Sequence, residues 1–243
     1  MAAGAAALGC DLGLSEAEGL PPVALLSLLR FVSPSLPIGA YAYSRGLEQA
    51  VCSGAVHDEG SAGDWILGLI GHTGARLDGP VFVRLYGALA LGDVEGFERW
   101  NAFLLATRES SELRLEDTQL GAALARLLAA QALAPQAATL LERSDVCYAS
   151  AFALAAISCQ VPLSAALLGF FWAQAEGQTS AAVRLIPLGQ TAGQRLLSRI
   201  TQVLPDCAAL AQSLSDAEIG ALSPGLALAS ALHETQYTRL FRS

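Results

Sequence analysis

Hydrophobic positions recur along this chain at the three- and four-residue spacing of amphipathic helices, and no alternating run with a hairpin signal is present. Val23 to Val32 reads as a first helix, entered through Pro21 and Pro22. A stretch rich in proline and glycine follows, and then a short helix from Arg45 to Cys52. Ser61-Ala62-Gly63-Asp64 has the form of a capping box ahead of a helix from Trp65 to Arg76. Asp78-Gly79-Pro80 punctuates the next helix, Val81 to Leu91, and Gly92-Asp93 separates it from another, Val94 to Leu105. Thr107 to Gln131 opens polar and becomes apolar. Glu112 and Glu116 share one face there, and with no reactive group beside them that face is predicted to be solvated.

Residues 146–175 carry no charge, which raises the question of a membrane. A spanning helix needs roughly twenty uninterrupted apolar residues. Gln160-Val161-Pro162 divides the run, and Ser164 is placed to cap its second half, so two central helices of a bundle are expected, with a membrane hairpin as the alternative. Pro187 interrupts the next pattern, Gly189 lets the chain bend, and Thr191 is placed to cap the helix carrying Gln194, Arg195 and Leu196. Gln190 and Gln194 are available for backbone groups freed at that corner. Ser215-Asp216-Ala217-Glu218 is a second capping box, and Ser223-Pro224 opens a last helix to about Tyr237. The expectation is an all-α, single-domain helical bundle of roughly ten helices with a kinked helix near Pro187.

The most distinctive run is Ser33 to Glu48, SPSLPIGAYAYSRGLE. Pro34 and Pro37 push the residues before them out of the helical region, and Gly39 allows a sharp turn. Tyr41 and Tyr43 suit a boundary between dry and wet surroundings, Ser44 can cap the helix after it, and Glu48 falls near that helix's positive end. This run resembles the N-terminal signature of UreF, an accessory protein family of nickel urease maturation. Ala182 to Leu196 (AVRLIPLGQTAGQRL) and the tail from Ser223 to Ser243 resemble the same family in the same order. Cys147-Tyr148-Ala149-Ser150 departs from its pattern.

Composition narrows the chemistry. The chain has 243 residues, 53% hydrophobic and 15% charged, with a formal net charge of −8, which argues against a nucleic-acid binder. All fourteen basic residues are arginines, which excludes a Schiff-base lysine, a P-loop lysine and a Ser-Lys dyad. The five cysteines, Cys10, Cys52, Cys147, Cys159 and Cys207, are scattered without a C-x-x-C, as expected of reduced thiols in a cytoplasmic protein. Residues 1–20 read as a disordered leader. Leu8-Gly9-Cys10 resembles a lipoprotein cleavage site but lacks the charged start and the long apolar segment. Gly68, Gly71 and Gly74 lack the strand a nucleotide loop needs, and are expected to allow close helix packing. Neither His72, nor Cys52 with His57, nor His233 with Glu234 has metal-ligand spacing with partners.

The resemblance implies a dimeric, non-catalytic scaffold that binds the UreD (UreH) accessory protein and recruits the GTPase UreG to apo-urease for nickel insertion. Nickel would be handled by the complex and GTP by the partner, with no cofactor or metal held tightly by this chain. Tyr41 and Tyr43 become candidates for the UreG-facing surface, and Tyr237, Arg239, Phe241 and Arg242 for the UreD-facing one. The matched stretches add Glu48, then Gln190, Gln194 and Arg195, then His233 and Glu234 as candidate partner contacts. The implied organisation is a helical domain over 21–235 and a docking tail over 236–243. A helical hydrolase is the rival reading. It would need a base from His57, His72 or His233, and no G-x-S-x-G motif surrounds any serine.

Overall fold

The computed structural model describes residues 20–134 and 145–243, so the expected leader, Cys10 included, lies almost wholly outside the described residues. Within them the chain forms eleven α-helices, one π-helical segment, two 3-10 turns and no strand. Helix α1 (Pro22–Phe31) begins with proline in its first turn. A loop with a 3-10 turn at Ala40–Ala42 leads to α2 (Leu47–Cys52). Ser44 is not the residue that starts α2. Arg45 (φ 51°) and Gly46 (φ 77°) intervene in the left-handed region, although the Ser44 hydroxyl still accepts the Glu48 N–H at 3.3 Å.

Helix α3 (Glu59–Gly68) starts two residues before the expected capping box. Asp58 is the cap, accepting from the Ser61 N–H at 2.8 Å, and Ser61 is the reciprocal third residue. The expected break at Asp78-Gly79-Pro80 is absent. The chain winds directly from α3 through a π-helix, Leu69–Asp78, into α4 (Gly79–Leu91). Pro80 cannot donate to the carbonyl four residues back, and that carbonyl, on Arg76, accepts from Gly220 N–H at 3.0 Å instead. Gly68 and Gly71 face open space, and of the three glycines only Gly74 lies against a neighbouring helix, where a Cβ would sit 3.6 Å from the Phe171 ring. The close approach is at Gly79, where a Cβ would lie 2.5 Å from the Phe171 ring.

Helices α5 (Val94–Ala106) and α6 (Ser111–Ala130) follow, capped by the Asp93 and Ser110 side chains. Helix α7 (Tyr148–Ser158) is buried on all sides from Ala149 to Ala156, which accounts for the uncharged run. It packs on α6, α4, α1 and α8 (Leu163–Leu185). Pro162, not Ser164, occupies the cap of α8, and the Ser164 hydroxyl donates to Gln212. Among the described residues no helix is long and apolar enough to cross a membrane. The core is aromatic at its centre, where Phe82 stacks on Phe170 at 5.0 Å and Phe152 meets both edge-on.

Near Pro187 the chain breaks into two helices. Helix α8 stops at Leu185 and α9 (Gln190–Thr201) starts after Gly189, with no cap from Thr191. Helix α10 (Leu204–Ser213) leads to a 3-10 turn, Asp216–Glu218, where the Glu218 carboxylate reaches back to the Ser215 N–H at 2.9 Å. The last helix, α11 (Pro224–His233), ends four residues short of Tyr237. Residues 234–243 run on as a strap across α2 and α6.

Candidate functional site

The strap and the signature loop form one edge of the molecule. Gly39 (φ 80°) turns the loop as its sequence demands, burying Leu36 and Ile38 and leaving Tyr41 72% exposed. Tyr43 turns inward and donates its hydroxyl to Gln119. Beyond it, the loop pairs with the end of the strap. Arg242 N–H donates to Ala42 O at 2.8 Å, and Ser44 N–H donates to Ser243 O at 2.7 Å. Arg184 of α8 holds both elements, donating to Tyr41 O at 2.9 Å while its guanidinium lies 4.5 Å from the centre of the Phe241 ring. Phe241 closes a small second core with Leu47, Ala50, Ala182, Ile186 and Leu196.

Beneath the strap, polar groups replace apolar ones. Glu48 accepts the backbone N–H of Leu240 at 2.6 Å and of Phe241 at 2.8 Å. His233, fully buried, places Nε2 3.1 Å from Glu48 and Nδ1 2.7 Å from Glu112. Arg239 donates to Glu112 at 2.8 Å, and its other nitrogens close the strap's own turn on Gln236 O and Glu234 O. Ser243 Oγ donates to Glu116 at 2.8 Å. The predicted solvated face of Glu112 and Glu116 is therefore buried. The partners that allow it come from α11 and the strap, more than a hundred residues later. Glu234 anchors the other end, accepting from Ser111 N–H and Oγ, and these bonds hold its carboxyl below the usual range.

A cleft of about 170 Å³ opens between the loop and α8. Its walls include Phe31, Leu36, Tyr43 and Phe170, and its floor carries Arg45, Asp78, Arg108, Glu116 and Asp117. Arg108 bridges Asp78 and Asp117 at 2.8 Å each, and Arg45 approaches Asp78 at 3.8 Å and Glu116 at 3.6 Å. Burial pushes the Glu116 carboxyl above its ordinary value, against the pull of Arg45 and Ser243. None of Asp78, Arg108 and Asp117 stands out in the sequence, because their partners lie on different helices.

The structure thus brings the loop, α11 and strap candidates together: Tyr41, Tyr43, Glu48, His233, Arg239 and Phe241. Tyr43, Glu48, His233 and Phe241 are inside the fold, with their polar groups engaged within the chain. Tyr41, Tyr237, Leu240 and Arg242 form the outer surface of this edge. Gln190, Gln194 and Arg195 sit elsewhere, exposed on α9, where Arg195 pairs with Glu59 of α3 at 2.9 Å. The two glutamines make no side-chain hydrogen bond among the described residues, so the backbone role expected of them is not filled. His57 and His72 are exposed and His233 is sealed. No group of three or more His, Cys, Asp or Glu among the described residues is arranged to hold a metal ion.

Residues 56–201 match the family model for UreF. The chain belongs to the UreF family. Similarity extends well beyond that segment. A relative named urease accessory protein UreF 2, from Brucella anthropi, is 45% identical over 223 residues, covering 92% of this chain and 98% of its own. Urease accessory protein UreF from Chromohalobacter salexigens is 45% identical over 222 residues, covering 91% and 96%. The corresponding protein of Psychrobacter cryohalolentis is 46% identical over 225 residues, covering 91% and 95%. In this UreF-family chain the loop lies before the matched segment and the strap after it.

Proposed function

We propose that this chain is a non-catalytic scaffold of urease maturation, which binds a UreD (UreH) accessory protein and recruits the GTPase UreG to apo-urease so that nickel is inserted. The observation that carries this reading is the loop–strap edge. Two segments remote in sequence are locked together by internal hydrogen bonds, and Tyr41, Tyr237, Leu240 and Arg242 are left facing outward. Exposed aromatic and arginine side chains on a fixed backbone are the usual anchors of a protein interface. We assign the strap side to UreD and the Tyr41 side to UreG, with the chain acting as a cytoplasmic homodimer. Nickel is cargo of the assembly, GTP belongs to the partner, and this chain holds neither tightly.

The test is urease activity and nickel content in a host carrying the remaining urease genes, with and without this chain. Collapse of both while apo-urease still accumulates supports the scaffold. Normal nickel loading without the chain refutes it. Tyr41→Ala, and separately deletion of residues 236–243, should then each reduce loading and weaken co-purification of the corresponding partner.

A further inference from the structure

Glu48 of α2, Glu112 of α6 and His233 of α11 are buried and, with Arg239 of the strap at their solvent edge, form a quartet in which every other neighbour of the two carboxylates is a donor. The imidazole spans them, one ring nitrogen to each. A neutral ring has one N–H and one lone pair, so it would aim that lone pair at one of the carboxylates. With hydrogen on both nitrogens, both contacts are attractive and the quartet balances two negative charges with two positive ones. That balance decides whether such charges can stay buried.

We propose that His233 is the positioning residue of the strap: an imidazolium that bridges Glu112 to Glu48 and so holds the Glu48 carboxylate where it captures the Leu240 and Phe241 amides. This rests on the scaffold reading only for its biological consequence, since the strap forms half of the surface assigned to the partners. The charged groups facing the ring are Glu48 from α2 and Glu112 from α6, with Arg239 behind Glu112. Without the bridge Glu48 is free to swing away, so its loss should loosen the strap while leaving α7 intact.

The experiment is nitrogen-detected NMR of the His233 ring in the full chain, together with amide hydrogen exchange at Leu240 and Phe241. Both ring nitrogens should carry hydrogen while the strap is docked. Removing the bridge should raise strap exchange by about tenfold or more. A ring with a single N–H beside a fully protected strap overturns the proposal. His233→Gln, which keeps one donor, should accelerate strap exchange by a similar factor without affecting Ala151 to Ala155. Should that variant not fold, the wild-type ring signals still decide. Normal urease maturation by a chain whose strap is shown to be undocked would instead count against the scaffold reading, leaving the role of His233 intact.

Discussion

The aromatic core around α7 and the polar clasp beneath the strap are equally buried, yet they are held in different ways. Phe82, Phe152 and Phe170 gain from being out of water in any close-packed arrangement, so the contribution of each scales with area and tolerates small shifts. Glu48, Glu112 and His233 gain only if each donor meets its acceptor, and any one loss leaves a buried group unpaired. The core should therefore fail globally and by degrees. The clasp should fail locally and all at once. That difference would suit the proposed scaffold, in which the core persists while one edge meets partners.

Phe152→Ala should give the largest effect. It removes a fully buried ring that touches Phe31, Phe82, Tyr148 and Phe170, and should cost about 3–5 kcal/mol in global stability. In chemical denaturation the midpoint should fall, and amide exchange should quicken in α4, α7 and the strap alike. Glu48→Gln should cost less, about 2–3 kcal/mol, and only locally. The amide offers one acceptor where three donors converged, so exchange at Leu240 and Phe241 should rise while α7 stays protected. Equal acceleration of both regions would mean that strap and core unfold as one unit, ending the distinction.

The two regions also differ in how well the sequence announces them. Helices α1, α4 and α5 emerge from apolar spacing, and the buried α7 from the first half of an uncharged run that Gln160-Val161-Pro162 divides. The cap of α3 is displaced because Asp58 and Ser61 can each cap, and in the fold Asp58 takes that place with Ser61 as its reciprocal partner. The π segment is invisible in the sequence, since what rescues Pro80 is a hydrogen bond from Gly220, 140 residues downstream. Glu112 and Glu116 carry the spacing of one helix face, but spacing cannot tell a solvated face from one covered by residues 233–243. The family resemblance locates the loop and tail without showing that they hold each other.

A subtler contrast lies at Glu116, where burial raises the carboxyl above its ordinary value. A raised value means the folded chain binds this proton more tightly than the unfolded chain does. The resulting stabilisation is present in acid and lost as pH climbs through the folded value. Glu116→Gln does not titrate and keeps an acceptor for Ser243 Oγ. The variant should match the wild type in mild acid and gain on it, in melting temperature, as pH rises from about 4 to about 7. A difference that stays constant with pH would show that Arg45 fully offsets the burial.

The smallest expected effect belongs to Arg195→Ala on α9. Its ion pair with Glu59 is well hydrated, with the arginine side chain 59% exposed, and such pairs contribute little to stability. Melting temperature should not change measurably, and strap exchange should remain as in the wild type, because among the described residues no hydrogen bond joins this outer face to the loop or the strap. Urease maturation is the informative readout. If nickel loading falls while stability and strap protection hold, α9 is a second contact surface, independent of the clasp. If loading is untouched, the proposed recognition stays assigned to the loop–strap edge, where two distant segments must close on each other before there is a surface to recognise.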